Sequence, residues 1–397
     1  MKSQVAIVGA GPAGLMLGHL LHIAGIDTVI VEKKSRKYIE ERVRAGVLEQ
    51  GTVNAMVDSG VGDRLLKEGL NHDHIDLRFG GEPHRLNVKE LSRGRSVWVY
   101  AQHEIVKDLV AARLGYDEPL YFETENVSIH DIDTDKPSIR FVHDGKEQVV
   151  ECDFVAGCDG FHGVSRRMIP ESVLQIYDRQ YPFAWLGVLA EAAPASQEII
   201  YAYHERGFAL QSMRGPNISR LYVQCPVADT LEDWPDDRFW KELHARLETT
   251  DGWHQEEGPI FQKSITGMRS FVCEPMQYGR LLLAGDSAHI VPPTGAKGLN
   301  MAIGDVQTMT RALTAFYESG NHEYLDKYSD TSLKRVWQIQ RFASMLCYNL
   351  HRFPEHNTFE HKMQIAELNN MTHSKQAMRA FAQNYTGLPV ELFYDLE

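Results

Sequence analysis

The sequence has few cysteines, and no two of them are spaced to share a metal ion. There are five among 397 residues, and none forms a Cys-x-x-Cys pair. This usage argues against both a zinc site and a disulfide framework, so no metal is expected and a reduced cytoplasm fits best. The five are Cys152, Cys158, Cys225, Cys273 and Cys347.

Long apolar runs and excess positive charge are also missing. No stretch reaches the roughly 18 apolar residues that a membrane helix needs. The first strand pattern starts at Val5, which leaves no room for a signal peptide. The formal net charge of −13 argues against nucleic acid as a partner. With about two to three domains expected from length and no low-complexity linker, we expect the domains to pack together.

A glycine-rich turn near the start has the context of a dinucleotide fingerprint. An apolar run over residues 5–8 predicts a buried strand, which leads into Gly9, Gly11 and Gly14 and then into a helical pattern. These glycines permit a tight turn, close approach of a pyrophosphate, and packing of the helix on the strand. Glu32 ends the next strand pattern, where a carboxylate accepts hydrogen bonds from an adenosine ribose. A glycine turn without a nucleotide is the alternative.

Two later segments suggest which dinucleotide is bound. They are Cys158-Asp159-Gly160 and Ala284-Gly285-Asp286, both far along the chain from the first turn. A nicotinamide cofactor needs only the first turn, whereas the second half of FAD needs contacts further along. We therefore predict FAD. Asp286 follows an apolar strand pattern and is expected to accept a ribityl hydroxyl; a helix cap or a solvated strand end is its alternative reading.

The order of patterns along the chain predicts an α/β fold. Helical and strand patterns alternate to about Glu171, strand-like runs dominate from about Tyr181 to Arg269, and helical patterns dominate from Leu299. Specific elements expected are a helix over 104–113, a hairpin around Asp144-Gly145 and a long helix over 331–350. The predicted organisation is a Rossmann-like FAD-binding domain over 1–180, an inserted, mainly β substrate domain over 181–268, and a region over 269–397 that returns to the FAD site and ends in helices.

Three further segments carry a resemblance to a known family. They are residues 42–50 (RVRAGVLEQ), residues 159–163 (DGFHG), and residues 285–300, which contain the distinctive run HIVPPTGAKGLN. With the glycine fingerprint, they make the sequence similar along essentially its whole length to the single-component flavin-dependent aromatic hydroxylases. In that family NADPH reduces FAD, and O2 then forms a flavin hydroperoxide that hydroxylates the ring. The resemblance implies conversion of 4-hydroxybenzoate to 3,4-dihydroxybenzoate by a homodimer.

The resemblance also implies cofactor contacts. The glycines and prolines of residues 292–298 would hold backbone near a flat ring, and a helix starting at Leu299 would stabilise negative charge on reduced flavin. Arg220 is expected to govern movement of the flavin. The full set of expected FAD contacts is Gly9, Gly11, Gly14, Glu32, Arg42, Arg44, Gln102, Asp159, Arg220, Asp286, Gly298, Leu299 and Asn300.

A carboxylate clamp is expected at Arg214, because a guanidinium matches the geometry of a carboxylate. Ser212 lies two residues earlier, so a strand would place both on one face. The resemblance assigns Ser212, Arg214 and Tyr222 to substrate binding. A surface arginine without a ligand is the alternative.

Phenol activation is expected from a chain of hydroxyls. By the resemblance, Tyr201 bonds the substrate phenol, Tyr385 is the next link, and His72 is the solvent end of a proton relay, a role suited to the near-neutral pKa of an ordinary histidine. Pro293 would offer its carbonyl near the substrate hydroxyl. Two buried tyrosines that merely satisfy each other's hydroxyls are the alternative.

A basic cluster after Glu32 suggests NADPH. Residues 33–38 read KKSRKY, with four cations in six residues, and could meet a 2′-phosphate. By the resemblance, this region and several other side chains lie near the nicotinamide dinucleotide; NADH and an ordinary solvated loop remain open. The expected NADPH contacts are Lys33, Lys34, Arg36, Tyr38, His162 and Arg269, with Arg42 and Arg44.

Other functions remain open on the sequence alone. The chain could hydroxylate a related aromatic acid, such as a 3-hydroxy or amino analogue. It could also be a non-catalytic flavin-binding sensor of an aromatic ligand, or an FAD-dependent dehydrogenase or oxidase that lacks ligand-triggered NADPH oxidation.

Overall fold

The computed structural model describes residues 1–42, 44 and 46–394. Val43 and Ala45 of the segment over 42–50, and residues 395–397 of the C-terminal region, lie outside the described residues. The strands, in chain order, are β1 Val5–Val8, β2 Thr28–Val31, β3 Val47–Glu49, β4 Leu70–His72, β5 His74–Phe79, β6 Glu82–Asn87, β7 Val97–Val99, β8 Leu120–Tyr121, β9 Glu125–His130, β10 Ser138–His143, β11 Lys146–Glu151, β12 Phe154–Gly157, β13 Gln175–Ala190, β14 Ile199–Ala202, β15 Ala209–Gly215, β16 Ile218–Pro226, β17 Ile260–Glu274, β18 Gln277–Tyr278, β19 Leu281–Leu283 and β20 His289–Ile290. The helices are α1 Pro12–Ile23, α2 Arg36–Glu41, α3 Gln50–Asp58, α4 Asp63–Glu68, α5 Val88–Leu91, α6 Gln102–Gly115, α7 Asp236–Leu247, α8 Gly298–Ser319, α9 Glu323–Asp326, α10 Tyr328–Leu350, α11 Thr358–His373 and α12 Lys375–Tyr385.

A six-stranded sheet forms the nucleotide-binding half, in the order β18-β19-β12-β1-β2-β8. All its neighbouring pairs are parallel except β18 with β19. Strands β1, β2, β12 and β19 are short and buried throughout, as expected of strands covered on both faces. The register pairs Val8 with both Val31 and Gly157, so their carboxyl ends meet at one edge. The predicted Rossmann-type α/β fold is confirmed.

An eight-stranded, mostly antiparallel sheet forms the second half, in the order β20-β17-β13-β16-β15-β14-β5-β6. This sheet includes β5 and β6, which lie far earlier in the chain than the other six strands. The sequence did not predict their place in the sheet because β6 is largely polar and exposed. Strands β13 and β17 pair with each other from Gln175–Glu274 to Ala190–Ile260. The predicted domain limits at residues 180 and 268 fall inside these two continuous strands.

The two faces of the larger sheet pack against different helices. Tyr201, Leu210 and Trp185 share one hydrophobic cluster with Phe342 of α10 and Phe381 of α12. Residues that alternate with these along the strands pack in a separate cluster with α7. One face of the sheet is therefore enclosed by the C-terminal helices.

Several predicted elements are confirmed in detail. The helix expected over 104–113 is the centre of α6, and the long helix expected over 331–350 is α10, which begins three residues earlier. Asp144 and Gly145 join β10 to β11 with φ angles of 51° and 70°, the backbone that a two-residue hairpin turn requires.

All five cysteines are buried and free. Among the described residues, no helix has both the length and the apolar character needed to cross a membrane. The described residues also contain no group of three or more His, Cys, Asp or Glu side chains that could hold a metal ion.

Candidate active site

The glycine turn lies where β1 meets the N-terminus of α1. Gly9 has a φ of +105°, and an added Cβ there would lie 2.4 Å from the carbonyl oxygen of Cys158. At Gly14 an added Cβ would lie 1.9 Å from the carbonyl oxygen of Gly9, so the helix needs glycine to approach the turn. An added Cβ at Gly11 meets nothing within 4 Å. The turn is thus tight on its inner side and open at Gly11, where backbone N–H groups of the helix start can face a pyrophosphate.

Glu32 holds the same turn from the end of β2. Its Oε2 accepts a hydrogen bond from the N–H of Ala10 at 2.8 Å, and its Oε1 accepts one from the N–H of Lys34 at 2.8 Å. Each oxygen keeps a second lone pair, so the carboxylate can still accept from a ribose hydroxyl. The contact between Glu32 and FAD stays a prediction.

The two aspartates at the carboxyl ends of β12 and β19 have different surroundings. The Oδ2 of Asp159 accepts hydrogen bonds from the N–H groups of Val164 and Ser165 at 2.6 and 2.9 Å, while its Oδ1 is buried without a partner among the described residues. Burial raises the pKa of Asp159, although these N–H donors oppose the shift. Asp286, which follows the neighbouring parallel strand β19 at the same edge of the sheet, is exposed. Asp159 therefore shapes the turn that follows it, and Asp286 is the carboxylate free to accept a hydroxyl.

The segment from Pro293 to Asn300 brings the chain back to this edge. Residues Pro293–Gly295 form a 3₁₀ turn, Ala296 adopts a left-handed φ of 51°, and α8 begins at Gly298 with Leu299 half-buried beside it. The Oδ1 of Asn300 accepts hydrogen bonds from Glu49 N–H and Thr52 Oγ1 at 2.8 and 2.7 Å. Asn300 thus ties the start of α8 to β3 and α3, and its predicted FAD contact is untested.

A basic group surrounds Tyr38. The ammonium of Lys34 lies 5.3 Å and the guanidinium of Arg42 5.7 Å from the centre of its ring. Arg36 pairs with Glu40 at 2.7 Å within α2, whereas Lys33 is exposed. Partial burial and the charge of Arg42 lower the pKa of Arg44, and Asp286 opposes this shift.

Phe161 joins His162 to Arg269. The rings of Phe161 and His162 meet edge to face at 5.0 Å, and the Arg269 guanidinium lies 4.8 Å from the Phe161 ring centre. Arg269 also pairs with Asp178 at 3.0 Å. The structure therefore brings these two predicted NADPH contacts together, and their role stays a prediction.

The predicted substrate residues share one face of the larger sheet. Ser212 pairs with Arg220 across β15 and β16, and Leu210 pairs with both Tyr222 and Tyr201. Directly opposed residues point to the same face, as do residues two apart on a strand. The register therefore places the hydroxyls and guanidiniums together on the face enclosed by the C-terminal helices.

Arg214 is a cation without an internal counterion. Its guanidinium donates a hydrogen bond to the Met213 carbonyl at 3.2 Å, and within the described chain no carboxylate lies within ion-pair distance of it. Burial lowers its pKa to about 10, with the nearby charge of Arg220 acting in the same direction. Arg220 itself donates from Nε to the hydroxyl of Tyr222 at 2.9 Å. A partly buried guanidinium so placed is suited to an anionic ligand.

Tyr201 and Tyr385 form a buried hydroxyl pair. Their oxygens are 3.0 Å apart, although one side chain comes from β14 and the other from the end of α12. Burial raises the pKa of Tyr201 to about 12 and raises that of Tyr385 well above its ordinary value. Both phenols therefore stay neutral near pH 7 and can each donate and accept a hydrogen bond.

His72 lies at the end of β4 and is 2% exposed. Its Nδ1 is 3.1 Å from Oε2 of Glu198, and its Nε2 is buried without a partner among the described residues. Neither nitrogen is directly bonded to Tyr201 or Tyr385 in the described structure. The predicted role of His72 in a proton relay remains a prediction.

Lys297 is a further functional candidate, to which the sequence motifs assign no role. Its side chain is 1% exposed, and Nζ donates to Glu49 Oε1 at 2.6 Å and to the carbonyls of Asn384 and Tyr385 at 2.7 and 2.8 Å. Burial lowers its pKa, and Glu49 opposes that shift. A lysine between a proline turn and a helix start was the available signal; its partners are about 90 and 250 residues away.

Gln102 is an expected FAD contact, whereas Glu198 was not among the expected site residues. Gln102 is the first residue of α6 and makes no side-chain hydrogen bond to the described residues. Glu198 was missed, because the sequence shows only a glutamate at the start of a strand. The role of Glu198 depends on the side chains that lie opposite it on the neighbouring strand.

The turn at Gly9, the open space at Gly11 and the exposed Asp286 fit an FAD along the carboxyl edge of the smaller sheet. Comparison with known proteins agrees. An FAD binding domain family model matches residues 2–343. The chain is 45% identical over 392 residues to p-hydroxybenzoate hydroxylase of Acinetobacter baylyi, covering 99% of this chain and 97% of that protein.

More distant relatives share the fold. A 3-(3-hydroxy-phenyl)propionate/3-hydroxycinnamic acid hydroxylase of Mycolicibacterium gilvum is 24% identical, with 86% of this chain matching 59% of that protein. The crystal structure of p-nitrophenol 4-monooxygenase from Pseudomonas putida DLL-E4 superposes with a TM-score of 0.83 at 18% identity, over 97% of this chain and 99% of that one. The chain belongs to the FAD-binding-domain family of flavin-dependent aromatic hydroxylases.

Proposed function

We propose that this protein is a monooxygenase that converts 4-hydroxybenzoate to 3,4-dihydroxybenzoate, using FAD, NADPH and O2. The observation that carries the proposal is the juxtaposition on one sheet face of Arg214, which has no internal counterion, with the Tyr201–Tyr385 hydroxyl pair. A carboxylate and a phenol hydroxyl at opposite ends of one small ring match these two groups.

Arg214 would bind the substrate carboxylate. A carboxylate accepts two parallel N–H groups from a guanidinium, which fixes the plane of the ring as well as its position. The hydroxyls of Ser212 and Tyr222 lie on the same face and would donate to the same carboxylate. An uncharged ring substituent would leave the partly buried guanidinium unpaired, which favours aromatic acids over other aromatic compounds.

Tyr201 and Tyr385 would remove the phenol proton. The substrate hydroxyl donates its proton to Tyr201 Oη while the proton of Tyr201 passes to Tyr385 Oη and the proton of Tyr385 passes outward toward solvent. The phenolate formed is more electron-rich than the phenol and so is more readily attacked by an electrophilic oxygen. Because both tyrosines hold their own protons tightly, they carry the proton onward without remaining ionised.

FAD, when bound, supplies the acceptor for hydride from NADPH and the centre that activates O2. The residues that would hold it are Gly9, Gly11, Gly14, Glu32 and Asp286, and the N-terminus of α8 would stabilise negative charge near the ring. The carbonyl of Pro293 would accept from the substrate hydroxyl and fix its direction. Lys33, Lys34 and Arg42 would meet the charge of NADPH.

The test is to incubate the purified holoprotein with NADPH and O2, with and without 4-hydroxybenzoate, and to analyse the products by chromatography. Fast NADPH loss only with the ligand, with one equivalent of 3,4-dihydroxybenzoate, is the expected result. Stimulated oxidation that yields only peroxide would indicate another aromatic acid as substrate. No stimulation would contradict the proposed substrate pocket.

The proposal includes a homodimer in the cytoplasm, as the family resemblance implies. Phe359 and Met363 lie one turn apart on α11 and are 68% and 51% exposed, which offers an apolar surface to a second copy. Sedimentation of the holoprotein checks the dimer, and a monomer at micromolar concentration would contradict it.

A further inference from the structure

His72 cannot deliver a proton to solvent by itself, because its side chain is only 3% exposed. The carboxylate of Glu198 and the ring of His74 lie between His72 and the protein surface. Oε2 of Glu198 lies 3.1 Å from His72 Nδ1, and Oε1 of the same carboxylate lies 3.5 Å from His74 Nδ1. The side chains of Glu198 and His74 are 18% and 35% exposed, so exposure increases along this series.

The strand register builds this arrangement. β14 runs parallel to β5 with Ile199 opposite Ile75, which places Glu198 opposite His74. Glu198 directly precedes β14, and Tyr201 lies three residues further along on that strand. The negative charge of Glu198 also contributes to the raised pKa of Tyr385, so the carboxylate lies within electrostatic range of the inner hydroxyl pair.

We propose that Glu198 and His74 form the proton exit of this active site, with Glu198 positioning His72 and His74 passing the proton to water. This proposal rests on the proposed function, since it concerns the proton released by the substrate phenol. A carboxylate only accepts hydrogen bonds, so neutral His72 carries its proton on Nδ1 and leaves the lone pair of Nε2 free. That buried, unpartnered atom accepts the proton that Tyr385 passes through water.

The proton transfers balance without an oxidant or reductant. His72 gains a proton at Nε2 and releases its Nδ1 proton to Oε2 of Glu198. After rotation, the carboxyl group passes this proton to water, or to Nδ1 of a His74 ring whose own proton is on Nε2, and that ring then releases its Nε2 proton to water. The charge of each group is restored once a proton has reached solvent, and His72 regains its starting tautomer by proton exchange with water. Glu198 also stabilises the imidazolium of His72 while it exists, as a carboxylate does for a catalytic histidine elsewhere.

Two other charged groups close to the exit, Arg85 and Asp73, are paired with described residues. Arg85 faces Glu198 from β6, but its guanidinium is held by both oxygens of Asp76 at 2.8 and 2.9 Å. Asp73 accepts from Lys89 Nζ and Ser96 Oγ at 3.0 and 2.8 Å. The titratable and charged groups to be considered in any pH profile of the exit are therefore His72, His74, Glu198, Tyr385, Arg85, Asp76, Asp73 and Lys89.

The experiment measures proton release apart from hydroxylation. Oxidised holoenzyme with bound 4-hydroxybenzoate, without NADPH, is subjected to a rapid pH jump, and phenolate formation is followed by absorbance. We expect Glu198→Gln to slow this step about ten-fold or more, Glu198→Asp to recover part of the rate, and the exposed Glu191→Gln to match the wild type. The Kd for 4-hydroxybenzoate should change little in each variant.

His74→Ala separates an exit role from a structural role. Its slowed proton release should recover with added imidazole buffer, which reaches a site that is 35% exposed, whereas the slowed proton release of His72→Ala should not. Wild-type rates in both Glu198→Gln and Glu198→Asp would overturn the proposal, and a wild-type rate in His74→Ala would overturn the part assigned to His74. If the wild-type protein itself formed no phenolate at any pH, the proposed substrate would be at fault rather than the exit.

Discussion

The hydroxyl of Tyr201 lies 3.0 Å from that of Tyr385, and the two residues are 184 positions apart in the sequence. Tyr201 is fixed by the strand pairing of β14, while Tyr385 is held at the end of α12, where its carbonyl accepts from Lys297. Two separate parts of the fold must therefore dock correctly before a proton can move between these phenols.

Replacing Tyr201 with phenylalanine removes the hydroxyl that would receive the substrate proton. Reduction of FAD by NADPH should persist, while hydroxylation falls by about 10²-fold or more and NADPH oxidation yields hydrogen peroxide. Product and peroxide yields per NADPH measure the effect. The exposed Tyr348→Phe serves as the control. Full hydroxylation by the Tyr201 variant would contradict the relay.

Replacing Arg214 with alanine removes the cation expected to bind the substrate carboxylate. Loss of charge-assisted hydrogen bonds of about 1.5–3 kcal/mol should raise the Kd for 4-hydroxybenzoate roughly 10- to 150-fold. Flavin absorbance titration measures this Kd. Arg238→Ala, on the α7 side of the sheet, should leave it unchanged, and equal losses in both variants would indicate a general structural effect.

Charge reversal in the basic group around Tyr38 should discriminate between the two nicotinamide cofactors. Lys34→Glu should raise the KM for NADPH on the order of ten-fold, and that for NADH much less, because only NADPH carries the 2′-phosphate. Arg36→Glu should raise the KM for NADPH less than Lys34→Glu does, since Arg36 already pairs with Glu40. Lys146→Glu, in the β10–β11 hairpin, is the matched control. Equal effects on both cofactors would refute the assignment.

The pH dependence of stability should depend on His351. Its Nε2 accepts from Trp185 Nε1 at 2.7 Å, and burial lowers its pKa to about 3. Folding thus keeps this ring neutral, while the unfolded chain binds a proton below an ordinary histidine pKa of about 6.5. Its stabilising contribution is therefore fully present above about pH 6.5 and is lost as the pH falls toward 3.

The melting temperature of His351→Gln should accordingly change less between pH 7 and 4 than that of the wild type. The difference in slope is at most about 1.4 kcal/mol per pH unit. Thermal unfolding of the holoprotein at several pH values measures it. If the melting temperatures of the two proteins fell equally between pH 7 and 4, His351 would not dominate the pH dependence of stability in this range.

Asp305 supports the strand end that carries Asp286. Its Oδ2 accepts from the N–H of Gly285 at 2.9 Å and lies 2.6 Å from His289 Nε2, with both side chains buried. Asp305→Asn should weaken FAD binding by about 1–2 kcal/mol, or ~5- to 30-fold in Kd, because the turn loses a charge-assisted hydrogen bond. Fluorescence titration of the apoprotein with FAD measures it, and unchanged affinity relative to the exposed Asp330→Asn would contradict this role.

The sequence by itself determined the nucleotide-binding half of the protein. The glycines at positions 9, 11 and 14 and the short apolar strands are local signals, because tight turns and buried strands restrict residue type at neighbouring positions. The hairpin at Asp144-Gly145 and helix α10 were predictable for the same reason. Family resemblance then directed attention to Arg214, Tyr201 and Tyr385.

Only the tertiary structure decided what surrounds those side chains. The larger sheet joins β5 to β14, which places Glu198 opposite His74, and no local pattern specifies a parallel pairing over more than 100 residues. The partners of Lys297 are equally distant in sequence. Ionisable groups acquire their burial and counterions from such long-range packing, and for this reason the proposed exit through Glu198 and His74 follows from the fold and not from the motifs.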